Sequence, residues 1–102
     1  MLAIGNVIDT QPDYPETVVA SALWHFEPTL AAGLAAVAET GFAAADYGVY
    51  SLMKNGGSSL APLGTFEGKV PAAAKTLVDE RTVLIKSGDF VVEVDDSEPK
   101  PS

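Results

Sequence analysis

Cysteine is absent from these 102 residues, and tryptophan and histidine occur once each, side by side, as Trp24 and His25. Without cysteine there is no disulfide framework and no thiolate nucleophile, and the redox compartment goes unmarked. A single histidine leaves a zinc site without its usual ligands. It also leaves no set of nucleophile, base and orienting group to assemble, so the expectation is a protein that is not an enzyme and needs no cofactor and no metal. Basic side chains are scarce: six Lys and Arg stand against fourteen Asp and Glu, for a net charge of −8. That charge opposes phosphate backbones and anionic membrane surfaces, which excludes nucleic acid as a partner. Long apolar runs are missing too. The longest, Leu30 to Ala38, is far too short to cross a bilayer. The opening "MLAIGNVID" has no basic region ahead of its apolar residues, so no export signal or anchor is expected in the chain.

What is present is enough for one domain. Apolar residues make up 47% of the chain, more than a disordered tail would carry. Nine glycines and seven prolines are scattered as turn markers rather than gathered into a linker. A domain of this size buries a modest fraction of its surface, so reliance on a partner or on a larger parent chain is expected.

Leu2 to Ile8 is a short apolar run ended by "DTQPDYP", which predicts a buried strand followed by a surface loop. Val18 to Leu23 predicts a second buried strand of a parallel sheet. Glu27 and Pro28 suit the first turn of a helix. Leu30, Leu34 and Val37 then recur at i, i+4 and i+7 up to the stop at Gly41, and the alanines between them make a thin surface for close packing. "AADYGVYSLM" has strand character, and "KNGGSS" supplies an Asn-Gly turn before "LAPLGTF", which together predict a hairpin-like excursion. Pro71 opens a second helix that carries Leu77, Val78, Leu84 and Ile85 at helical spacing and ends near Gly88. Phe90 to Val94 is expected to form a last strand, and residues 95–102 a polar, flexible tail. The fold class expected is therefore α/β, with two main helices and three to four short strands in a single unit over residues 1–94.

Taken in order, "AIGNVIDTQPDYPETVVASALWHFEPTLAAGLAAV", "DYGVYSLMKNGGSSLAPLG" and "VPAAAKTLVDERTVLIKSGDF" resemble the C-terminal part of the basic membrane protein family. Its members are substrate-binding components of ABC transporters that take up purine nucleosides or nucleobases. The similarity runs from Ile4 to Phe90. It rests on a Gly-x-x-x-Asp strand end, an apolar strand ending Ser-x-x-Trp before a helix, a glycine-pair turn into Leu-Ala-Pro, and a last helix closing on Ser-Gly-Asp-Phe. The resemblance implies a partial periplasmic-binding-protein type I, Rossmann-like fold. In that fold two lobes hold the ligand between them, and more than half of the protein precedes this part. It also implies a transporter permease as partner and a periplasmic or cell-envelope location.

On this reading the candidate ligand-binding residues are Asp9, Trp24, Tyr47 and Ser21. Asp9 closes the first strand, and ligands in open α/β sheets sit outside the carboxyl ends of strands. The family's aspartate at this point faces the cleft, whereas an Asx turn in "DTQP" is the plainer reading. Trp24 offers a flat face for a purine, and a tryptophan fills the comparable place in a subgroup of the family where others carry lysine. Core packing is the commoner fate of a tryptophan. Tyr47 matches an aromatic position of the family's penultimate strand, and Tyr50 reads as core. Ser21 is small enough for a ligand to approach, but small residues at strand ends are ordinary. His25 reads as a structural hydrogen-bonding group. Gly56-Gly57 lacks the spacing of a phosphate loop, and Asp79-Glu80 reads as a solvated face. The rival reading is an interaction module that pairs with a second copy of itself through an exposed sheet edge and the alanine-rich helix, forming a homodimer without a small ligand.

Overall fold

Seven residues from Val18 to Trp24 form the middle strand, β2, of a three-stranded sheet in a computed structural model that describes residues 1–41 and 44–101. Val18 and Ala20 are buried here, as the β-branched run suggested, and Ser21 is fully enclosed. Strand β1 (Ala3–Val7) pairs with β2 in parallel, matching Gly5 to Ser21 and Val7 to Leu23. The third strand, β3 (Ser58–Leu60), pairs antiparallel on the other side, with Trp24 opposite Ser58. The sheet is thus mixed, in the order β1-β2-β3. Two helices accompany it, α1 (Glu27–Thr40) and α2 (Ala72–Ser87). The architecture is α/β with two helices and three strands, as the alternation of elements predicted.

The return from β1 to β2 is made without a helix. Residues 8–17 coil through successive turns, in which Asp13 and Tyr14 donate to the Thr10 carbonyl and Thr17 and Val18 to that of Tyr14. Gln11 locks this loop down. It is 94% buried, and its Nε2 donates to the carbonyls of Val18 and Leu63, both at 2.8 Å, and to that of Val19 at 3.3 Å. Its Oε1 accepts from Thr65 N–H at 3.2 Å. One amide side chain therefore ties together the loop, the start of β2 and the chain beyond β3.

Four expectations need correction. Strand β1 is not buried: Ile4 is 68% exposed and Val7 44%. Among the described residues no element packs over it as a second layer would. Helix α1 does not turn its leucines inward either. Leu30, Leu34 and Val37 are exposed, while Thr29, Ala32, Gly33 and Ala36 form the covered side, facing the 3₁₀ turn Tyr47–Ser51. Small residues let the two backbones approach, which leucines would prevent.

The segment Ala44 to Met53 is not a strand and no hairpin forms. Two 3₁₀ turns, Tyr47–Ser51 and Met53–Asn55, occupy it. Local side-chain bonds draw the backbone into turns: Asp46 accepts from Gly48 N–H at 3.0 Å, Ser51 Oγ donates to the Gly48 carbonyl, and Asn55 Nδ2 to that of Val49. Gly56 then reverses the chain at φ 80°. Phe90 to Val94 likewise pairs with no strand. Gly88, at φ 88°, donates to the carbonyls of Leu84 and Ile85, and Phe90 N–H folds back to Leu84. The Phe90 ring then sits 4.6 Å from the Arg81 guanidinium. A helix cap has captured Phe90, the first residue of the segment that was expected to form a strand, and Val91 to Val94 follow exposed and unpaired with any strand. Ser102, the end of the expected tail, lies outside the described residues.

Candidate functional site

The carboxyl ends of the two parallel strands meet the amino end of α1, and an open groove of about 540 Å³ lies there. Val7 closes β1 on one side of it, Trp24 closes β2, and Phe26 and Thr29 come from the entry to α1. Ser51 and Ser58 border it from the turn and strand that follow. Trp24 is 68% exposed and Phe26 67%, so both rings stand open instead of filling a core. Phe26 is a residue that sequence reasoning passed over. Its place between the end of β2 and Pro28, where the chain turns into α1, was the available signal.

The groove owes its shape to two backbone features. Gly57 is buried, and its N–H donates to the Leu52 carbonyl while its own carbonyl accepts from His25 N–H at 2.9 Å. A Cβ at Gly57 would overlap the Tyr50 carbonyl and Ser51 backbone, so only glycine fits. Val7, by contrast, holds φ 77°, a left-handed conformation costly for a β-branched side chain. Its N–H donates to Asn6 Oδ1 at 3.0 Å. Such strain persists only where the surroundings enforce it, and here it falls on the groove wall.

The structure places the four candidate residues differently. Only Trp24 lines the groove. Asp9 is exposed just past β1, and its Oδ1 accepts from Gln11 N–H at 3.0 Å, the Asx turn that "DTQP" suggested. Ser21 Oγ donates to the same oxygen at 3.4 Å and accepts from Thr10 N–H at 3.3 Å. Asp9 and Ser21 are therefore brought together, with Ser21 sealed from solvent. Tyr47 begins the 3₁₀ turn beside α1 and is not among the groove residues. His25 lines the groove but has its Nε2 2.7 Å from Ser59 Oγ, a cross-strand bond that orients the ring.

A second groove, of about 360 Å³, separates α2 from the segment Ser59 to Leu63. Lys75 and Glu67 on its rim form an exposed ion pair, and the Glu67 carboxylate raises the Lys75 pKa above its ordinary value. Among the described residues, no three His, Asp or Glu side chains come together as a metal site would require. No helix among them is long and apolar enough to cross a membrane. No model of a known protein family matches the chain, and neither a curated protein nor a solved structure matches it.

Proposed function

We propose that this chain forms one wall of the ligand cleft in a solute-binding protein of the basic membrane protein type, the C-terminal part of a periplasmic-binding-protein type I fold. It captures a purine nucleoside or nucleobase without chemistry and serves an ABC transporter permease at the cell envelope. One observation carries the reading: the sole tryptophan is two-thirds exposed in a groove at the carboxyl ends of parallel strands, where open α/β sheets bind ligands. A flat aromatic face contributes about 1–3 kcal/mol when a base stacks on it. Thr29, Ser51 and Ser58 bring hydroxyls to the same groove for the polar edge of a ring. The exposed Asp9 carboxylate, turned by Gln11 and Ser21 at the neighbouring strand end, supplies an acceptor for the sugar or an exocyclic amine.

Because Trp24 is the only indole in the chain, its fluorescence reports on this groove alone. Titration with guanosine is expected to quench it more steeply than it quenches a free tryptophan amide. A linear response no steeper than that of a free tryptophan amide would reject the reading.

A further inference from the structure

The outer edge of β1 is unpaired among the described residues, since the sheet ends there. Ala3 N–H donates inward to the Thr17 carbonyl at 2.9 Å. The strand's two-residue alternation then turns the backbone groups of Ile4 and Asn6 toward the open side. Native edge strands are usually blunted by lysine, proline or an inward charge. Between Met1 and Ile8 there is no lysine, proline or charged side chain; the edge carries only the short length of β1 and a register irregularity between Ala3 and Ile4, and Leu2, Ile4 and Ile8 are each 64–68% exposed.

The surface area says how much cover is missing. The chain exposes 7929 Å², whereas a compact monomer of 10.6 kDa exposes about 5,500 Å². The surplus is about 2,400 Å². Its radius of gyration is 17.2 Å, against about 13 Å for a compact domain of this length. Part of the surplus belongs to the extended residues 91–101, which are exposed throughout. A standard interface needs only about 800 Å² per partner, a third of the total.

We propose that a second copy of this chain covers the β1 edge, with the two β1 strands pairing antiparallel across a two-fold axis to give one continuous six-stranded sheet. A two-fold contact is self-complementary, and an antiparallel strand pair meets that condition. The net charge of −8 opposes association of two copies elsewhere on the surface, whereas no side chain from Met1 to Ile8 is charged, so pairing at this edge juxtaposes no acidic side chains. The inference rests on the edge and the surface area, independently of the ligand reading.

Sedimentation equilibrium of the full chain tests it, with circular dichroism as the check on folding. The expected species has twice the chain mass, and it tightens as salt rises because screening removes like-charge repulsion. Ile4→Pro removes only an outward N–H, and Ile4→Lys adds a charge at an exposed position. Each is expected to weaken association at least tenfold while leaving the melt of the monomer unchanged. Added guanosine is expected to leave the mass unaltered, which separates this outcome from that of the groove. A monomer at all concentrations, a dimer indifferent to both substitutions, or open-ended growth in place of a dimer would each overturn the proposal.

Discussion

Gln11→Met tests whether a single buried amide holds the loop, the sheet and the following segment together. Methionine keeps the approximate volume and flexibility of glutamine but removes every side-chain hydrogen bond. Two contacts at 2.8 Å, to the Val18 and Leu63 carbonyls, a weaker one at 3.3 Å that shares the same amide with the Val19 carbonyl, and one at 3.2 Å from Thr65 N–H disappear. At about 1 kcal/mol net per bond, with a further increment for carbonyls left unpaired in a buried site, the loss comes to about 3–4 kcal/mol. That is a large share of the 5–15 kcal/mol, roughly, that holds a domain folded. Urea unfolding followed by circular dichroism reads it directly. Gln11→Glu adds a pH test. A buried carboxylate facing carbonyl oxygens favours its protonated form, so its folded pKa lies above the unfolded value of about 4.3. The variant's stability is then fully present below that unfolded value and is lost as pH rises through the folded one. Its deficit against the parent is expected to be small near pH 4 and largest at neutral pH. A Gln11→Met loss below about 1 kcal/mol would refute the reasoning, since one net hydrogen bond already accounts for that much.

Three further outcomes follow from the backbone and the surface. Gly57→Ala forces a Cβ into the Tyr50–Ser51 backbone and is expected to destabilise by about 1–3 kcal/mol in the same unfolding experiment. Val7→Gly relieves the left-handed strain at φ 77° and is expected to stabilise by about 1 kcal/mol, the strain released less the entropy glycine loses on folding. Lys75 titrates above its ordinary value because Glu67 accepts its hydrogen bond; nitrogen-detected NMR is expected to show the midpoint falling back in Glu67→Gln. The charged pair is therefore present below the ordinary lysine range and lost as pH rises through the folded value.

The helices were legible because punctuation marks them. Pro28 and Gly41 bracket α1, and Pro71 and Gly88 bracket α2, within a residue of their observed ends. Strand β2 was legible in its valines. The alanines of α1 were legible as a surface for close packing, but the exposure of its leucines was not. A leucine period identifies an apolar stripe, but the half-buried side is the one that carries Ala32 and Ala36, and the Tyr47–Ser51 turn packs against this helix. The turns over Ala44 to Met53 were hidden because Asp46, Ser51 and Asn55 act through side-chain bonds that override the strand character of tyrosine and valine. Gln11 was unreadable for the same reason: in "DTQPDYP" it looks like any loop residue, and its role depends on Leu63 and Thr65, more than fifty positions away. Of the site, the position of Trp24 at a strand's carboxyl end could be read from the sequence. The burial of Ser21 and the distance of Tyr47 from the groove depended on how the strands and turns pack.

The central claim is that the Trp24 groove takes a flat purine ring, and an amide NMR titration of the ¹⁵N-labelled chain with guanosine tests it most directly. One stacking face contributes about 1–3 kcal/mol, less than the roughly 4.1 kcal/mol that corresponds to a 1 mM dissociation constant. Binding by this wall alone is therefore expected at millimolar concentrations or above. The Trp24 indole and the amides of Phe26, Thr29 and Ser58 are expected to shift together in constant proportion as guanosine is added, and to stop shifting in Trp24→Ala. Shifts confined to the α2 groove around Lys75, or none at Trp24 up to the solubility limit, would contradict the account.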